Sequence, residues 1–192
     1  MTFQKVGDTY INVLGNSLKY SDNLTSLELS GNRISSLGIN NLFSSINKNK
    51  ELIANLHDID ISDNNIGNQD ISEIIKFIQE PKNGIERLNL YGNLIGDENA
   101  IKIIESFGKV EAYSKVAINL GKNNIHDSCA RSLLEMLKSF PSLRALLLSH
   151  NWLHNKAASQ IITQLSTHYE LRILDLSWNV IGDDLISIPS YE

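Results

Sequence analysis

Three groups of residues in this 192-residue chain have the types and spacing that chemistry would need. Asp58, Asp60 and Ser62 alternate with Ile59 and Ile61, as oxygen ligands alternate with spacers in a calcium loop. An EF-hand loop also requires glycine at its sixth position and glutamate at its twelfth. Asp63 and Gln69 stand there instead. His126, His150 and His154, with Cys129, offer nitrogen and sulfur donors, yet a zinc site needs three or four that converge. Cys129 falls where two other segments place Gly38 and Ala157, which reads as core packing. Asp175 and His150, with Ser149 or Ser177, have the residue types of a hydrolytic triad, but serine at that place reads as filler. No GxSxG, HExxH, CxxC or Walker lysine motif is present. The expectation is a chain with no catalytic residue, no cofactor and no metal.

Composition narrows the classes further. A formal net charge of −5 and the absence of a Lys/Arg cluster argue against nucleic acid and against an anionic membrane surface. No apolar run reaches the ~18 residues that span a bilayer. Met1–Tyr10 lacks the basic start and apolar stretch of a secretory signal.

The elements that must position any site come from a repeat. Six segments align: LTSLELSGNRI (24–34), LHDIDISDNNI (56–66), IERLNLYGNLI (85–95), KVAINLGKNNI (115–125), LRALLLSHNWL (143–153) and LRILDLSWNVI (171–181). Lys115 breaks the pattern, since an aliphatic residue belongs there. Asn32, Asn64, Asn93, Asn123, Asn151 and Asn179 recur at spacings of 32, 29, 30, 28 and 28. Alternation places Leu27 and Leu29 on one face of a strand and Glu28 on the other. Each amide ends its strand and is expected to join a structural ladder by bonding backbone of its own and the neighbouring turn. The second half of each unit then switches to helical spacing. Ile71, Ile74, Ile75 and Ile78 form one such stripe; Ala100, Ile103, Ile104 and Phe107 a second. Ala130, Leu133, Leu134 and Leu137, then Ala158, Ile161, Ile162 and Leu165, continue the series. Asp97 and Asp127 are expected as helix caps, with Gly84 and Pro141 at helix exits.

From these motifs the chain resembles the leucine-rich repeats of the ribonuclease-inhibitor-like class over nearly its whole length. That resemblance implies an α/β fold: a right-handed curved solenoid, with a parallel sheet on the concave face and helices on the convex face. One repeat domain over 1–192 is expected. A partial unit covers 1–23, full units begin near 24, 56, 85, 115 and 143, and an incomplete unit covers 171–192. Val6-Gly7 opens the partial unit, and Pro189 interrupts the last. Because neither end shows a polar cap, the chain is expected to be a piece of a longer protein or to associate through its ends. With one cysteine there are no disulfide caps of the kind many extracellular members carry, so a cytoplasmic location is expected, or the host cytosol for a secreted bacterial effector.

The resemblance further implies a non-catalytic module that binds another protein through the concave face and rim loops. A GTPase-regulating solenoid similar to the Ran-activating protein, and a sensor or scaffold segment of a larger receptor or effector, are the alternatives. The register places Glu28, Asp58, Asp60 and Asp63 together on the outward face. Tyr91, Asn119, Lys122, His150, Trp152, Asp175 and Trp178 follow along later units. Tyr and Trp dominate binding hot spots, so the expected partner carries a basic patch and an apolar anchor.

Overall fold

Short alternating segments bounded by amides make short strands, and the spacing between them leaves room for a helix. The computed structural model describes residues 7–109 and 115–182. Strands β1 (Ser26–Glu28), β2 (Asp58–Asp60), β3 (Arg87–Asn89), β4 (Val116–Asn119), β5 (Leu143–Leu147) and β6 (Ile173–Asp175) form one parallel sheet in sequence order. Their register is that of the aligned segments: Glu28 lies beside Asp60, then Asn89, Asn119, Leu147 and Asp175. Helix α1 (Gly7–Leu18) precedes β1, and α2 (Ser36–Ile46) with α3 (Lys50–Asn55) crosses to β2. Single helices make the remaining crossings: α4 (Ser72–Gln79), α5 (Gly96–Phe107), α6 (Ala130–Ser139) and α7 (Asn155–Gln164). Each packs on the next, and one apolar core lies between helices and sheet. Val6 and Pro189 lie outside the described residues.

The first full unit is the longest because it holds a second helix. Asn49 caps α3 through its Oδ1, which accepts the Leu52 N–H at 3.0 Å, while its Nδ2 donates to Asp22 Oδ1 at 2.9 Å. The Lys115 irregularity is also resolved. A bulge shifts register at Val116/Ala117, so fully buried Val116 pairs with Leu143 and supplies the missing aliphatic contact while Lys115 stays in solvent.

The helical stripes differ from their expected positions. Ile75, Leu134 and Leu165 are only half-buried and Ile162 is exposed, whereas Phe77, Ser106 and Met136 are buried. At 3.6 residues per turn the stripe is wide, and the helix of the adjoining unit covers the flank that carries Phe77 and Met136. Phe43 meets Phe77 edge-on at 5.3 Å, and Phe107 lies 5.7 Å from Phe140, so aromatic rings fill that flank.

The amides do form a ladder. Asn64 Oδ1 accepts the backbone N–H groups of Asn32 and Ile34, both at 3.0 Å, and its Nδ2 donates to the carbonyls of Leu29, Ile61 and Ser62. Asn123 does the same for Asn93 and Ile95, and Asn151 for Asn123 and Ile125. Asn179 serves Leu153. Five of the six amides are buried and Asn179 is half-buried. One defect stands in the row: Asn93 Oδ1 is buried without a hydrogen-bond partner.

A second ladder runs along the turns that enter the helices. Asp97 and Asp127 do not cap their own helices; each carboxylate reaches forward to the next unit. Asp97 Oδ1 accepts the His126 backbone N–H at 2.7 Å, and Oδ2 accepts the Ser128 hydroxyl at 2.6 Å. Asp127 accepts from His154, Asp8 from Ser35 and Asn155 from Gly182 in the same way. Burial pushes the Asp97 carboxyl up, but the Ser128 and His126 hydrogen bonds outweigh it and hold the group below the usual range. A depressed folded value stabilises the protein above the unfolded carboxylate value of about 3.9, and that stability disappears as pH falls through the folded value. Asp97→Ala is therefore expected to cost about 1–3 kcal/mol at pH 7. Urea midpoints measured from pH 7 down to about 3 should converge for wild type and variant as the carboxylate protonates.

Candidate functional site

The sheet face turned away from the helices carries the residues between the buried leucines, and several have structural duties. Asp60 Oδ1 accepts the Ser62 N–H at 2.9 Å, Asn89 Oδ1 that of Tyr91 at 3.2 Å, Asn119 Oδ1 that of Gly121 at 3.0 Å, and Asp175 Oδ1 that of Ser177 at 2.9 Å. These are Asx-type turns that bend the chain out of each strand. The Ser177 hydroxyl, 2.6 Å from the Asp175 carboxylate, holds Asp175 below the ordinary carboxylate range. Leu147 occupies the same column without an amide or carboxylate to offer. Beside it lies a dip of about 70 Å³ over Ala117, bordered by Arg87, Asn89 and Asn119.

The acidic group at the first units is partly neutralised. Arg87 Nε lies 2.7 Å from Asp58 and its Nη1 3.8 Å from Asp60, so a guanidinium sits between two of the four carboxylates. Asp60 is held further by Asn89 at 2.8 Å. Asp63 turns its carboxylate over Gly92.

The residue just before each ladder amide is the informative row. All six have left-handed backbone: Gly31, Asp63, Gly92, Lys122, His150 and Trp178, with φ between 49° and 70°. Glycine fits there without strain, whereas an L side chain costs about 1–2 kcal/mol. Three units nevertheless place a long or aromatic side chain there, Lys122, His150 and Trp178, while Asp63 in a fourth is short and tolerates such backbone. Trp178 is 77% exposed and stacks on His150, with ring centroids 5.3 Å apart and planes 6° from parallel. His150 meets the Tyr91 ring edge-on at 6.4 Å, and Lys122 Nζ lies 5.8 Å from the Tyr91 centroid. Tyr91 can lie across the sheet because Gly121 has no side chain beneath it; a Cβ there would come within 2.7 Å of the ring.

A second row, one turn further out, repeats the arrangement. Trp152 is 52% exposed and stacks on His126 at 6.3 Å, 8° from parallel. Two units earlier Leu94 is 56% exposed with φ 56°. Leu94 and the dip beside Leu147 were not anticipated from sequence. Comparing columns would have found both, since Leu94 and Leu147 are aliphatic where most aligned units hold polar residues.

The candidates for chemistry separate in space or serve the fold. Cys129 is fully buried, and burial pushes its thiol up to about 12, so it is a core residue. Among the described residues no three His, Cys, Asp or Glu side chains converge to hold a metal. No described helix is long and apolar enough to cross a membrane.

A family model described as Leucine Rich repeat matches the chain at residues 20–42, 53–74 and 171–184. No curated protein matches it. The parallel sheet in chain order, the helix on each crossover and the amide ladder agree with those three matches, and the chain is a leucine-rich-repeat protein.

Proposed function

We propose that this chain is a non-catalytic protein-binding module of the ribonuclease-inhibitor-like class, engaging its partner through the open sheet face and the aromatic ledge beside it. Leucine-rich repeats generally serve protein interaction, and units of 28 to 32 residues with α-helical crossovers support the class. One observation carries the reading: Lys122, His150 and Trp178 keep long or aromatic side chains on backbone that favours glycine. Strain of this kind persists where a side chain has work to do. Large exposed aromatics are also what a binding hot spot requires. The partner presents an apolar anchor to Trp152, Trp178 and Tyr91 and a basic group to Glu28, Asp58, Asp60 and Asp63. Because Arg87 already answers part of that charge, the apolar contact is the larger contribution. The chain's single, buried cysteine suits the cytosol, of its own cell or of a host.

Affinity capture tests this with Trp152→Ala/Trp178→Ala, wild type and an Arg131→Ala/Glu135→Ala control on α6. Proteins retained by wild type and the helix control but lost by the tryptophan variant support the ledge. Equal retention by all three, with unchanged urea midpoints, excludes it. Truncating a hot-spot tryptophan typically costs at least about 2 kcal/mol, roughly thirtyfold in affinity.

A further inference from the structure

The two exposed tryptophans share an arrangement that the binding reading does not require. Each lies flat against a histidine, and one of those histidines has a carboxylate in reach. Trp152 stacks on His126, whose Nδ1 is 3.3 Å from Asp97 Oδ1. Trp178 stacks on His150 in the same way. Trp152 and Trp178 are the chain's only tryptophans, and the three remaining histidines lack a tryptophan stack. His57 and His168 direct ring nitrogens to the carbonyls of Gly84 and Phe140, and His154 pairs with Asp127 at 3.5 Å.

We propose that protonation of His126 and His150 is a pH switch on the aromatic ledge, turning two neutral ring stacks into cationic ones and weakening the hold on a basic partner. This rests on the binding reading above and adds regulation to it.

Histidine is the unperturbed side chain that gains its proton between about pH 5 and 8. An imidazolium lying on an indole face is attracted by the ring's quadrupole, so protonation tightens the stack and fixes the tryptophan. At His126 the facing charged group is Asp97 from α5; the neighbouring Asp127 is engaged with His154, and the Cys129 thiol that touches Asp97 stays neutral. The charged groups nearest His150 in the neighbouring units are Asp175 from β6 and Lys122, which lies over the Tyr91 ring that His150 meets edge-on. Although burial pushes Asp97 up, Ser128 and His126 together hold it low, and Asp175 is held low by Ser177 with a further part from His150.

The effect on binding follows from charge. At neutral pH the ledge offers two uncharged aromatic stacks beside the acidic units. On acidification it gains two positive charges directed at the side from which a basic partner approaches. The partner is expected to bind about fivefold or more weakly at low pH, within the ordinary range of coupling between sites.

The whole chain reports on itself, since imidazolium quenches a stacked indole. Trp178→Phe leaves Trp152 as the only emitter, and Trp152→Phe leaves Trp178. Emission of each is expected to fall between about pH 8 and 5 with unchanged far-ultraviolet circular dichroism. His126→Gln should abolish the fall for Trp152, and His150→Gln for Trp178. Flat emission in both single-tryptophan proteins overturns the switch, as does a fall that survives the histidine substitutions. Should a substituted protein not fold, the imidazole proton shifts of the wild-type chain must show His126 and His150 titrating in step with emission; titration out of step overturns it equally. None of these readouts needs a partner, so their failure leaves the capture experiment standing, and failed capture leaves them intact. Proteins captured at pH 7.5 are then eluted at about pH 5.5, and retention equal at both overturns the regulatory effect.

Discussion

Asn123→Leu is expected to lower the unfolding free energy by about 3–5 kcal/mol, because several buried backbone groups lose their partners at roughly 1–3 kcal/mol each. Asn123 is fully buried in the middle of the ladder. Its Oδ1 accepts the N–H groups of Asn93 and Ile95, and its Nδ2 donates to the carbonyls of Leu90 and Gly121. Leucine has nearly the same shape, so it fills the space and satisfies none of these groups. Water has no access to replace the amide. The loss should appear as a lower urea midpoint and faster amide exchange at Asn93 and Ile95. Asn179→Leu is the internal control, since Asn179 is only half-buried and a smaller change is expected there. Equal effects at the two positions would show that the amides act locally and not as a ladder.

Gly84→Ala is expected to destabilise by about 2–4 kcal/mol, at or above the usual range for overpacking. A Cβ built on Gly84 would overlap the carbonyl oxygen of Ala54 and come within 3.0 Å of His57 Nδ1. The obstacle is backbone, and it is pinned. Gly84 N–H donates to the Ile53 carbonyl at 3.0 Å, and the Gly84 carbonyl lies 2.7 Å from His57 Nδ1. Neither side can move without losing a hydrogen bond that joins two units. Thermal and urea unfolding measure the loss. A Gly84→Ala protein as stable as wild type would mean that the junction between these units yields far more than such packing allows.

Gly84 also shows where sequence reading reached its limit. Its place near a helix exit suggested a cap, yet its role is close approach to a chain segment thirty residues earlier. Nothing local distinguishes those duties. The same holds for Asp97, whose position just before a helical stripe suggested a cap on its own helix. Its carboxylate instead serves the following unit. The outward Asp60, Asn119 and Asp175 looked free for a partner, and each is engaged by the N–H two residues on. That engagement was latent in the Asx-x-N–H spacing, but a carboxylate or amide on an open strand face serves equally well for binding.

What the sequence by itself determined is whatever repeats. Alternating aliphatic pairs, one amide per turn and a helical stripe appear in unit after unit, so strand order, register and the amide ladder were all legible. Each is a local pattern multiplied by stacking, and a parallel stack has one register that keeps every leucine inside. Tertiary structure decided what depends on the distance between units. It set which carboxylate reaches which neighbour, where Arg87 inserts among the acids, and which aromatic rings lie face to face. Those pairings join residues about thirty apart in sequence through spacings of a few ångströms, and unit length, bulges and left-handed turns shift them by amounts no single repeat records.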